Sequence, residues 1–157
     1  MSLESVAAAA GTTVPSLRRR YRSKQELGAA VVDSLRADPL AKAAGPPRAQ
    51  ALAVLENFRH NLERPRSLAL LGTLLSEEER SPELLERFRS RLVGPRRALL
   101  AEALNAGVAA GDLAPTTDVD VAVSMLVGSF YARYISHGRI PPNWPRRVLG
   151  QIWPAPR

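Results

Sequence analysis

The sequence contains no cysteine, which removes disulfides and thiolate metal sites from consideration and suits a reducing compartment. It also lacks a long apolar run. The longest are Leu68–Leu75 and Val121–Ala132, well short of the roughly 20 residues a helix needs to cross a bilayer. The first residues hold an alanine run but neither a basic n-region nor a long apolar core, so no signal peptide is expected and the chain reads as cytoplasmic, away from membranes. No stretch alternates apolar and polar residues with turn pairs between, which argues against a sheet. Catalytic groupings are missing too. His60 and His137 are the only histidines and fall on different segments. Glu77, Glu78 and Glu79 are consecutive, so on a helix they diverge and cannot converge on a metal. No glycine-rich phosphate loop occurs. The expectation is a protein that is not an enzyme and uses neither a metal nor another cofactor.

What is present is helix-forming and basic. The 157 residues, 45% hydrophobic, suffice for one compact domain or a small head on a larger body. The formal net charge of +7 favours polyanionic partners. Lysine is scarce: only Lys24 and Lys42 among 22 basic residues, the others being arginine. Charge is concentrated near the start, where residues 1–37 hold six basic and three acidic side chains. Arg18, Arg19, Arg20, Arg22 and Lys24 lie together with no acid among them.

Apolar residues recur at helical spacing, divided by proline and glycine. Leu27, Val31 and Leu35 follow Ser23-Lys24-Gln25-Glu26, which has the form of a capping box. Asp38-Pro39 should stop that helix. Further helices are expected over 48–63, over 66–78 (apolar on nearly every side, as for a helix buried among others), over 82–110, over 118–137 and over 143–153. Ser81-Pro82 should open the third of these, and Gly94-Pro95 should kink it. Gly111-Asp112 should close it, and Asp118 or Thr117 should cap the next.

The stretch Leu3 to Tyr21 has the pattern of a helix-turn-helix. A small residue at Ala7 permits close approach, Gly11 can take a positive φ at the corner, and Leu17 projects into the shared core. Thr13 or Thr12 can cap the second helix, with Pro15 in its first turn. The residues Ala7, Ala10, Gly11, Leu17, Arg19, Tyr21, Ser23, Lys24 and Leu27 match a known run: leucine, a Tyr-Arg-x-Phe group, then Ser-Lys-x-x-Leu. On these residues the chain resembles the TetR family of bacterial transcription regulators. Two features depart from that family: Arg18 stands where it carries tyrosine, and the sequence opens where the family's second helix does, without the first.

The resemblance implies an all-α protein: a truncated helix-turn-helix head with a connecting helix over 1–37, then a helical-bundle body for effector binding and dimerisation over 38–157. It implies a double-stranded DNA operator, a small-molecule effector, a homodimer and action as a ligand-responsive repressor. Helix 14–20 would enter the major groove. Thr12, Thr13, Val14 and Ser16 would touch bases, Arg19 could do so, and Arg18, Arg20, Tyr21 and Lys24 would hold phosphates. Phe58, Leu74, Phe88, Leu92, Met125 and Phe130 are the expected pocket walls. Phe130, Tyr134, Trp144, Ile152 and Trp153 are the expected dimer surface. The competing expectation is an all-helical dimerising interaction protein that no longer binds DNA.

Overall fold

Helix starts and stops in the head follow local chemistry. A computed structural model describes residues 3–35 and 45–153, the side chain of Lys24 excepted. Helix α1 (Leu3–Ala9) ends in a turn where Gly11 takes φ +61° and Thr12 N–H closes on the Ala7 carbonyl at 2.9 Å. Helix α2 (Val14–Arg20) begins at Thr13, whose hydroxyl oxygen accepts from Ser16 N–H at 3.3 Å, and Pro15 sits in its first turn. Helix α3 (Lys24–Ser34) is capped by Ser23, which accepts from Glu26 N–H at 3.0 Å. The Glu26 carboxylate reaches back to Arg22 N–H at 2.6 Å, so each satisfies an otherwise open donor.

Among the described residues α1 packs chiefly on α2, with Ala7 as its buried contact. The corner at Gly11 therefore sets how that pair meets. Gly11→Val would put a β-branched residue in the left-handed region at about 1–2 kcal/mol. Amide exchange in α1 and α2 should accelerate while the helices beyond residue 45 keep their protection. Unchanged exchange in α1 and α2 would show that the corner is not under this constraint.

The body holds α4 (Pro47–Leu62), α5 (Ser67–Ser76), α6 (Pro82–Phe88), a π turn (Arg89–Val93), α7 (Gly94–Ala109), α8 (Val119–His137) and α9 (Trp144–Ile152). The chain is all-helical among its described residues. Gly111 (φ +79°) and Gly138 (φ +69°) end α7 and α8, and Asp118 caps α8 by accepting from Val121 N–H at 3.1 Å. At Gly94-Pro95 the helix widens rather than simply bending. Proline supplies no N–H, and Gly94 N–H instead reaches back five residues to the Arg89 carbonyl.

Two cores result, and one long helical run joins them. The larger unites α4, α7, α8 and α9 around Leu55, Leu100, Leu104, Leu126, Phe130 and Leu149, all essentially without solvent exposure. The smaller unites α3, α5 and α6 around Val32, Leu74 and Leu85. The α6 half of the run belongs to the small core and the α7 half to the large one, with the π turn at the junction. Helix α5 is less buried than its sequence suggests: only Leu74 is fully covered and Leu75 is exposed. Its apolar side faces a hollow rather than a packed neighbour on every flank.

Candidate functional site

The first candidate is the surface of α2 and the turn after it. Arg18, Arg19, Arg20 and Arg22 are exposed, as are Thr12 and Thr13, while Val14, Ser16 and Tyr21 are half-buried. Helix α2 carries no carboxylate, so the cluster has no local neutralising partner within its own helix. The Arg20 guanidinium lies 6.0 Å from the Tyr21 ring centroid. The Thr13 hydroxyl has a structural duty as the cap and also donates to Ser16 Oγ at 3.0 Å. The Lys24 side chain lies outside the described residues.

The second candidate is a cavity of about 520 Å³ at the seam between the two cores, a size typical of small-molecule sites. Its walls are mainly apolar. Val54, Leu55 and Phe58 come from α4, Leu70 and Leu71 from α5, Phe88 from α6, and Leu92 and Val93 from the π turn. Leu35, which ends α3, also reaches it. Of the expected walls, Phe58, Phe88 and Leu92 line the cavity and the other three do not. Leu74 is occupied by the small core, where it packs with Val32 and Leu85. Phe130 lies in the large core, and its ring meets Phe58 edge-on with centroids 5.2 Å apart. Met125 projects outward and is 61% exposed.

The polar lining was not anticipated. Arg64, Arg96, Arg97, Asn61, Ser67, Ser124 and Tyr131 all contribute. Leu92 O accepts from Arg96 Nη1 at 2.8 Å, so the widened turn and the cavity wall share a hydrogen bond. Arg97 Nη2 donates to Asp120 Oδ1 and to Ser124 Oγ, each at 3.0 Å. Burial pushes the Tyr131 hydroxyl pKa above its ordinary value, which keeps it a neutral donor. The sequence signal for the arginines was present as Arg96-Arg97 directly after Pro95, but a charge pair on a helix ordinarily faces water.

The third candidate is an exposed stripe on α8. Val121, Met125, Gly128, Ala132 and Ile135 recur at steps of four and three, so they share one face. All five are exposed, Ile135 at 83%. The expected dimer residues lie elsewhere. Phe130 and Trp153 are buried in the large core of the chain itself. Trp144 and Ile152 pack against the same core. The Trp144 ring is flanked by Arg133 and Arg147, 5.2 and 5.3 Å from its centroid, and its Nε1–H donates to Ser129 Oγ at 3.3 Å. Tyr134 alone of the five is exposed. The stripe escaped notice because α8 is apolar on its core face as well, and only burial separates the two faces.

Among the described residues no group of three His, Asp or Glu side chains is arranged to hold a metal ion. No helix among them is long and apolar enough to cross a membrane.

A helix-turn-helix with a cationic outer surface, joined to a helical bundle enclosing an apolar cavity, defines the class of helical transcription regulators. Residues 41–152 match the family model described as Tetracyclin repressor-like, C-terminal domain. The crystal structure of a TetR family transcription regulator superposes with a TM-score of 0.61 at 28% identity, covering 96% of this chain and 84% of that one. No curated protein matches in sequence. The chain belongs to the TetR family of transcription regulators, a family of regulators rather than enzymes.

Proposed function

We propose that the protein is a cytoplasmic, homodimeric, DNA-binding repressor whose grip on its operator is released by a small molecule in the cavity. The observation that carries DNA binding is the exposed set Arg18, Arg19, Arg20 and Arg22 on and just after a helix without acids, behind the Gly11 corner. Thr12, Thr13, Val14 and Ser16, with Arg19, face base edges in this reading. Arg18, Arg20, Tyr21 and Lys24 hold phosphates. Two such heads on a two-fold axis read two half-sites.

Three contacts support ligand control. Leu35 touches the cavity at the end of α3, and α3 begins directly after the arginine cluster. Gly28 of α3 lies against Leu84 of α6, where an added Cβ would come within 3.0 Å of Cδ1. Asp33 Oδ1 accepts from Arg87 Nε at 2.8 Å and from Arg91 Nη1 at 2.5 Å, so α3 grips the long helix on both sides of the π turn's start. A molecule that shifts Leu35 or the π turn therefore moves α3, and with it the base of the reading helix. The α8 stripe supports dimerisation: Gly128 and Ala132 at its centre allow two helices to approach closely, and Gly128 also borders the cavity.

The test is selection of genomic fragments by the protein, followed by a binding series in salt. Affinity should fall steeply with salt, because each neutralised phosphate contributes a slope of about −0.9 in log–log form. Arg18→Ala should weaken all sequences alike and reduce the slope by about one unit. Ser16→Ala should instead change the preferred sequence. An affinity independent of salt would overturn the DNA-binding reading.

A further inference from the structure

We propose that the cavity takes a largely apolar small molecule bearing an anionic head group, a carboxylate being the simplest, with Arg97 and Ser124 receiving that head. The inference rests on the ligand-responsive reading above and specifies the ligand's chemistry. Its basis is an imbalance of charge in the wall. The lining includes Arg64, Arg96 and Arg97 and no aspartate or glutamate. The rest of the wall is mainly leucine, valine and aromatic rings, which suit a hydrocarbon body.

Arg97 is the best-placed receptor. Among the described residues its carboxylate neighbour is Asp120, whose side chain is 89% exposed. An ion pair so open to water contributes little, and a carboxylate arriving from the cavity side meets the same guanidinium in a drier setting where charge-assisted hydrogen bonds are stronger. Arg97 can offer such an anion two parallel N–H donors once Nη2 releases Asp120, so the ligand takes the place of that open ion pair. Ser124 Oγ accepts from Arg97 Nη2 at 3.0 Å, which leaves its O–H free to donate to a ligand oxygen. A cationic ligand would face the Arg97 guanidinium, and a neutral one would forgo the strongest bonds on offer.

The experiment measures binding of decanoic acid, decanol and decylamine to the full chain by calorimetry, alongside their effect on operator release. Decanoic acid is expected to bind about tenfold or more tightly than decanol, and decylamine most weakly. Arg97→Met should bring decanoic acid down to the level of decanol while leaving decanol unchanged. Leu71→Trp, which fills the hollow, should abolish binding of all three. Equal binding of acid and alcohol, or an acid preference that survives Arg97→Met, would overturn the head-group assignment and leave the ligand cavity standing. Binding by none of the three, with no release of DNA, would overturn both.

Discussion

Trp153→Ala should lower the unfolding free energy by about 3–5 kcal/mol, the range for truncating a buried large aromatic. The indole is 2% exposed and closes the large core from the end of α9. Its backbone carbonyl accepts from Arg48 Nε at 3.2 Å, which ties the same residue to α4. The six-membered end of the ring lies against α7 at Gly107, where an added Cβ would fall 2.6 Å from Cζ2 and 2.9 Å from Cζ3. These distances give the prediction a sharper form. Replacing a glycine within a helix by alanine ordinarily stabilises by up to roughly 0.5–1 kcal/mol. In this protein Gly107→Ala should instead destabilise by about 1–3 kcal/mol, because the rigid ring cannot yield without unpacking the core. In the Trp153→Ala background the obstruction is gone, and the same substitution should become neutral or stabilising. A double-mutant cycle by urea unfolding measures this reversal. If Gly107→Ala has one sign in both backgrounds, the indole does not hold α7 in the manner described.

In the homodimer proposed above, Ile135→Glu should convert dimer to monomer without unfolding the chain. Ile135 is 83% exposed, so the substitution leaves the protomer's core untouched. By two-fold symmetry one substitution acts twice in the dimer. Each lost isoleucine burial is worth about 1.5–3 kcal/mol, and two introduced carboxylates would face an apolar seam. Dissociation should therefore strengthen by more than about 100-fold, read by sedimentation at several concentrations. Operator binding should weaken in step, since a lone head engages one half-site. Met125→Glu should behave similarly from the other half of the stripe. A wild-type monomer at tens of micromolar, or an Ile135→Glu dimer of unaltered affinity, would remove the stripe as the contact between copies.

The fold was largely legible where structure is decided within a few residues. Thr13, Ser23 and Asp118 cap helices because a short oxygen-bearing side chain reaches the open N–H groups of the next turn, whatever the rest of the protein does. Gly11 and Gly111 turn corners because only glycine enters the left-handed region without strain. The TetR resemblance rested on residues of this kind together with the basic cluster.

The sites were less legible. Helix α8 is apolar on both its core face and its outer stripe, so its pattern did not tell Phe130 from Met125; one is buried and the other exposed. Helix α5 looked like a wholly enclosed helix, yet Leu70 and Leu71 border a cavity and Leu75 meets solvent. Pro95 announced an interruption, but not that the helix would widen and turn Leu92 and Val93 towards a hollow.

The amino-acid order alone determined the helices, their ends, the glycine corner and the density of positive charge, because each depends on bonds and sterics between near neighbours. The tertiary structure decided which apolar faces became core, cavity wall or open stripe, and which arginines turned inward. Those outcomes depend on what a distant helix places opposite, and no run of adjacent residues carries that information.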